Sequence, residues 1–265
     1  MAISTQDALV AALAGAQKRG FRKASATSEG AGTWRSLWAL AGQPGAGAAA
    51  GSVNGAIPTS ATTGAIPYTN PGGANLGYVG RLSAQGSTAG TLILYDRLWH
   101  NSALVGNVTT LQSFTQPALT RATTGDGVEL WGEVYSAMGA TGTVMTAIYT
   151  NQDGTGSRSA SYTQPANALS VGQMVPFSLQ AGDSGVRSVQ SLQLSISTGT
   201  AGNFGLTLLR RLAEIPLTAA GVGGVLDFFG LGGGVLEANS CLAMMVLCSA
   251  TSTGEIQAGL SIIEG

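Results

Sequence analysis

The sequence predicts an all-β protein: an antiparallel β-sandwich, jelly-roll-like, with an N-terminal helix and an extended glycine/alanine-rich arm. Three observations lead there. The run TLILYDRLWHN at 91–101 has no Gly or Pro and is rich in strand-favouring residues. Read at period two, Leu92, Leu94 and Leu98 share one face and Ile93, Tyr95 and Trp99 the other, so both faces are apolar, as in a strand covered on both sides. Downstream, short segments at 128–135, 143–150, 158–163, 174–179, 189–197, 242–249 and 256–262 alternate or run apolar between turn residues. Glycine makes up 40 of 265 residues, about twice the usual share of roughly 7%, and has no period of three, so it serves turns and not a collagen repeat. Eight or nine strands without convincing helices between them suit two antiparallel sheets, with a barrel-like Greek key as the alternative.

The N-terminal stretch 4–18 reads as a short amphipathic helix, with Ser4 as N-cap and Asp7 near the positive end of the helix dipole. Leu9, Leu13 and Ala16 lie at helical spacing, Lys18 and Arg19 fall in the last turn, and Gly20 is a natural stop. So narrow an apolar face is marginal alone and needs a surface to dock on, its own domain or a neighbouring protein. Lys18, Arg19, Arg22 and Lys23 form the basic cluster of the chain, a solvated helix end, a contact for an acidic protein surface or, as a weaker third reading because nothing else in the chain is basic, a contact for nucleic acid.

Residues 24–90 show little regular pattern. Trp34, Leu37, Trp38 and Leu40 form an apolar knot; GAIP then occurs at 55–58 and 64–67, carrying Ile57 and Ile66, with Tyr68 just beyond. The segment is too poor in charge for a solvated tail and reads as an arm that gains order along a surface. The domain division that follows is 1–90 for helix and arm and 91–265 for the β-domain.

Within 128–135, Val128, Leu130 and Val134 point one way and Glu129, Trp131, Glu133 and Tyr135 the other, a half-exposed strand. The segment 158–163 reads as an edge strand, and in 189–197 Leu192, Leu194 and Ile196 point inward. Residues 204–217 fit helix or strand, and Thr207, Gly205 and the strand-dense context favour strand. The glycine-rich loop 221–234 carries Leu226, Phe228, Phe229 and Leu231, either folded back on the core or held out as a subunit contact.

Charged residues are only 9% of the chain, against about 25% in ordinary soluble domains, and the net charge is −1. Such a chain has no basic field for nucleic acid, and its surface must be built from small polar residues or be covered by other subunits. Cys241 and Cys248, an odd number of residues apart, cannot bridge within one strand, which fits folding in a reducing cytoplasm. No secretory signal is expected near the N-terminus, because the positive charges follow the apolar stretch, and the region 219–236 is too glycine-rich and broken by Asp227 for a membrane span.

Catalytic patterns fail one by one. Gly182-Asp183-Ser184-Gly185 matches the nucleophile motif of trypsin-like proteases, but His100, the sole His, sits within the strand and has no family motif around it. Gly45–Gly51 lacks the Lys-Ser/Thr of a phosphate loop, Asp153-Gly154 lacks alternating acidic ligands, and Glu129 with Glu133 lacks a polar cleft. The expectation is a non-enzyme without metal or cofactor.

The stretch LILYDRLWHNSALVGNVTTLQSFTQPALTRATTGDGVELWGEVY, preceded by an Ala/Gly-rich arm containing GFRKAS and TWRSLW, resembles virion structural proteins of tailed bacteriophages. The resemblance implies a capsid cement or decoration protein, a homo-oligomer (a trimer) bound to the major capsid protein in a virion assembled in the host cytoplasm. It implies partner contacts through Leu9, Leu13, Arg19, Arg22, Trp34, Trp38, Ile57, Ile66 and Tyr68 of helix and arm, and through Phe228, Phe229 and Leu231 of the loop. Direct contact with nucleic acid or membrane is not expected. A different class of function is a tail or fibre module that binds receptor or carbohydrate, with Trp131 and Tyr135 stacking on sugar rings.

Overall fold

A computed structural model describes residues 3–26, 30–73 and 75–265. It is all-β: among the described residues one short helix, Gln6–Ala14, accompanies sixteen strands, and every strand pairing described is antiparallel. The chain divides into two compact units, Met1–Gly47 with Thr59–Asp96 and Leu212–Gly265, and Ala48–Pro58 with Arg97–Arg211.

The first unit is built on a sheet in the order Gly224–Asp227, Gly77–Gly86, Ile256–Glu264, Gln17–Lys23, Gly42–Gln43. Its core gathers Phe21, Val79, Leu82, Leu260 and Ile262 from that sheet with Leu92, Leu94, Met244 and Val246. The latter four come from Gly90–His100 and Leu242–Cys248, which pair over seven residues from Leu242↔Asp96 to Cys248↔Gly90. Both of these strands are buried on both faces, as their unbroken apolar sequence predicts. Cys248 is part of this core, Cys241 is buried just before the strand, and no disulfide joins them.

The second unit holds a four-stranded sheet in the order Gln112–Ser113, Val186–Leu194, Thr143–Asn151, Arg158–Gln164, which puts Arg158–Gln164 at an edge as expected. Val128–Ser136 pairs with Gln173–Pro176 and with the first half of Asn203–Leu217. Its core collects Leu98, Trp99, Val128, Leu130, Met145, Tyr149, Leu192, Phe204 and Leu206. The ambiguous segment is thus a strand of 15 residues.

Several expectations are corrected. The helix is shorter than 4–18: Thr5, not Ser4, caps it by accepting the Ala8 N–H at 3.1 Å, and Gly15 ends it. Lys18, Arg19 and Gly20 lie in a strand, because Gln17–Lys23 alternates exposed and buried positions and finds a partner edge along Ile256–Glu264. Residues 24–90 are not structureless. Gly77–Gly86 is a ten-residue strand whose three glycines and polar outward residues hide its inward Val79, Leu82 and Ala84 from pattern reading. Val128–Ser136 is not half-exposed, since Trp131 and Glu133 are 3% and 2% exposed. Ile196 does not point inward: the strand ends at Leu194, and Ile196 is exposed beyond it.

Candidate functional site

The polar heart of the second unit lies where Gly90–His100 leaves its apolar run. Arg97 is fully buried and forms an ion pair with Glu133 at 2.8 Å. The same Glu133 oxygen accepts the Tyr135 hydroxyl at 3.0 Å and the Thr207 hydroxyl at 3.3 Å. Arg97 also lies 3.0 Å from His100 Nδ1. A guanidinium only donates, so Nδ1 is the acceptor and the imidazole is neutral. Burial, with the Arg97 charge adding to it, pushes the His100 pKa down to about 3. Burial also raises the Tyr135 pKa, reinforced by the Glu133 charge. A neutral His wedged against an arginine can neither take a proton from a nucleophile nor hold a metal without losing that bond. Among the described residues no group of three or more His, Cys, Asp or Glu stands ready for a metal ion.

This network also anchors the glycine-rich segment. Arg121 donates to the carbonyls of Pro58 and Arg97, both at 3.0 Å. Trp99 Nε1 donates to Asn54 O, Asn101 Nδ2 to Val53 O, and the backbones of Ala56 and His100 exchange hydrogen bonds. Gly55 has φ of +74°, and a Cβ there would collide with the Trp99 indole at 2.5 Å, so the segment passes this close only as glycine. Residues 51–58 are therefore ordered by their own unit without an external surface.

The GDSG turn is likewise structural. Asp183 accepts Asn151 Nδ2 at 2.8 Å, both Arg158 Nε and Nη2, and a very short bond from the Tyr149 hydroxyl. The Arg158 fork, with the Tyr149 and Asn151 bonds, holds its carboxyl well below the usual range. Ser184 Oγ donates to Asp126, and no imidazole stands beside it.

The partner-contact residues expected from sequence sort by exposure. Trp38 and Ile66 are 1% and 0% exposed, and Tyr68 is buried with its hydroxyl donating to Glu237 O and accepting the Ser240 N–H. These three are core residues of their own unit, a correction to their role as contacts: the knot and the second GAIP close over Leu242 and its strand, where Ile66 N donates to Leu242 O. Trp34 is half-buried in a short strand against Leu247, and Ile57 packs against the second unit's core. Leu9 is buried against its own unit, leaving Leu13 at 37% and Val10 at 60% exposure. Arg19 donates to Gln17 and the Lys18 carbonyl, and Arg22, exposed, forms a fork with Glu255 at 2.9 and 3.0 Å.

The loop divides in the same way. Leu231 is core, Phe228 is half-buried edge-on to Tyr78 at 6.0 Å, and Phe229 is 78% exposed. Asp227 fixes the turn, its carboxylate accepting the Gly230 N–H and its carbonyl the Leu231 N–H. The flanking strands Gly224–Asp227 and Val235–Leu236 both pair with one side of Gly77–Gly86, and along that edge Val225 and Val235 are also exposed. Trp131, by contrast, is buried with its Nε1 donating to Glu129, so it offers no ring face to a sugar. The alternation of Val128–Ser136 suggested an outer face for it; the pairing of that strand on both sides and the polar cluster it encloses were not visible in a one-strand pattern.

No protein-family model matches the chain, and no curated protein matches it. Among solved structures, that of the infectious bursal disease virus Gx strain aligns over 94% of this chain and 80% of that one at 11% identity and a TM-score of 0.17. The VP2 subviral particle of infectious bursal disease virus aligns over the same shares at 10% identity and a TM-score of 0.19. At such scores these likenesses establish neither a common fold nor a common role. Among the described residues no helix is long and apolar enough to cross a membrane.

Proposed function

We propose that the chain is a non-enzymatic structural protein of a virion, a capsid cement or decoration protein that self-associates and clamps neighbouring capsid subunits. The observation that carries the reading is Phe229, held 78% exposed on a turn fixed by Asp227 along a sheet edge with two further exposed valines. A monomer gains nothing by fixing a bare aromatic ring in water, whereas a subunit that buries it gains about 1.5–3 kcal/mol at each copy. A chain with 9% charged residues is also poorly provided with the solvating surface of a free monomer, as expected where subunits cover one another. The second support is the helix Gln6–Ala14, which buries Leu9 and leaves Val10 outward, an apolar ridge available to a neighbour.

The test is cryo-electron microscopy of particles purified from the source, with this chain identified in them by mass spectrometry. Density in many copies on the head lattice, with Phe229 buried between subunits, is the expected result. A few copies at the tail or a vertex would overturn the cement role, and absence from particles would overturn the virion role. Truncation to probe the clamp must stop at residue 15, because Gln17–Lys23 is an inner strand of the sheet.

A further inference from the structure

Beyond the apolar edge, the outward face of the first unit's sheet carries an uncovered polar groove. Cross-strand register stacks three rows on that face. Lys18, Ser261, Arg81 and Asp227 form the first; Gly20, Gly259, Ser83 and Val225 the second; and Arg22, Gln257 and Gln85 the third. Two adjoining hollows of about 550 and 370 Å³ share Gly20, Ser83 and Gly259 as their floor. The floor is low because two of its central positions are glycines, and a Cβ added at Gly20 would meet nothing within 4 Å.

The charges at one end of the groove are unspent. Five cations are committed: Arg22 to Glu255, Arg97 to Glu133, Arg158 to Asp183, Arg211 to Glu129, and Lys23 to three carbonyls. Lys18 and Arg81 are exposed, in one row, and among the described residues their side chains have no hydrogen bond or ion pair. Asp227 stands opposite Arg81, but its carboxylate is taken by the Gly230 N–H and forms no ion pair with the guanidinium. At the other end, Gln85 donates to Gln257, and Gln257 donates to Glu255, a ladder of side-chain amides that offers both donors and acceptors.

We propose that this groove binds an extended acidic peptide segment of a partner protein, its carboxylates on Lys18 and Arg81 and its backbone along the glycine floor towards the glutamines. The rows repeat every second residue, so the three rows span about 13 Å, the length of four extended residues. Side-chain amides match peptide N–H and C=O groups, whereas a saccharide would want an aromatic platform, and the one aromatic lining the groove among the described residues, Phe21, is 4% exposed and turned to the core. The assignment does not depend on the virion role and is tested on purified protein alone.

The experiment is two-dimensional amide NMR of the full chain titrated with the peptide acetyl-Ser-Glu-Ser-Glu-Ser-amide, and with its Gln-for-Glu counterpart. Shifts centred on Gly20, Ser83, Gly259 and Ser261 with the Glu peptide, weakened by salt and much smaller with the Gln peptide, are expected. Each exposed charge contact is worth up to about fivefold in affinity, so Lys18→Gln with Arg81→Gln should weaken binding about tenfold or more. Gly20→Leu fills the floor from a position where an added Cβ meets nothing within 4 Å, and it should abolish binding while leaving the thermal midpoint unchanged. Arg211→Gln, in the other unit, should change nothing. No shifts at millimolar peptide, equal response to the Gln peptide, or binding that survives Gly20→Leu would overturn the proposal. So would binding of heparin or sialyllactose at this face without binding of the peptide, which would move the groove to acidic saccharides.

Discussion

Arg97 and Glu133 meet at 2.8 Å with 0% and 2% of their side chains exposed. Desolvating two charges costs several kcal/mol each, and their attraction offsets this only while both are present and fully hydrogen-bonded. Arg97→Met or Glu133→Gln alone should therefore destabilise the protein by about 3–5 kcal/mol, whereas Arg97→Met with Glu133→Leu should recover most of the loss. Urea unfolding of the two single variants and the double variant measures this directly. A double variant as unstable as the sum of the singles would show that the pair contributes more than its own compensation.

His100 makes the same network sensitive to acid. Its native pKa lies near 3 while the unfolded value is about 6.5, so between those limits the unfolded chain binds a proton that the native state refuses. Stability then falls as pH drops from 6.5, with a slope approaching about 1.4 kcal/mol per pH unit for one group. Glu255, lowered to about 2 chiefly by its hydrogen bonds from Arg22, and the depressed Asp183 act in the same direction but only below about pH 4.5. Denaturation midpoints of wild type and His100→Gln, measured from pH 7 to 4.5, isolate the histidine: the wild-type slope should flatten in the variant before the carboxylates titrate.

Lys23 is a buried cation with no carboxylate. Its Nζ donates to the carbonyls of Leu40, Pro44 and Gly45 at 3.0, 2.9 and 3.2 Å and lies 5.8 Å from the centre of the Phe21 ring. Three loop carbonyls thus depend on one side chain, and Lys23→Met should cost about 2–4 kcal/mol by leaving them without a donor. Burial lowers its pKa to about 8. From pH 8 to 10.5 the unfolded chain therefore keeps a proton that the native state has released, and the contribution of this residue to stability rises across that window. A pH titration of the unfolding midpoint should show this rise in wild type and not in Lys23→Met.

The all-β class and the central strands were legible because long apolar runs such as 91–101 and 242–249 admit few other readings. The strands Gln17–Lys23 and Gly77–Gly86 were not, because one carries four charges in seven residues and the other three glycines in ten. Their longest pairing is with Ile256–Glu264, far along the chain, as in Ser261↔Arg81 and Lys18↔Ser261. For the same reason the basic cluster split into a buried Lys23 and an outward Lys18 and Arg22, a separation that depends on strand parity and not on a helix end. Among the apolar residues of the arm and the loop, hydrophobicity alone could not say which would close over their own unit and which would stay exposed. Trp38 and Ile66 closed over their own unit, and Phe229 did not.

Phe229 gives the last prediction. Its neighbours divide the roles of the loop: Leu231 belongs to the core, Phe228 leans on Tyr78, and Phe229 touches Phe228 edge-on at 5.9 Å while remaining 78% exposed. Since little of the ring is removed from water in the isolated chain, Phe229→Ser should leave the thermal midpoint within about 1 °C, consistent with surface substitutions lying within about 0.5 kcal/mol. Leu231→Ser, which opens the core, should lower stability by several kcal/mol. If the loop is a subunit contact, Phe229→Ser should also weaken self-association tenfold or more, the factor that corresponds to about 1.5–3 kcal/mol of lost apolar burial. Analytical ultracentrifugation over a concentration series reads this without any partner. Unchanged association in a variant of unchanged stability would show that the exposed ring serves a contact with another protein, or none, and would remove the loop from the self-association interface.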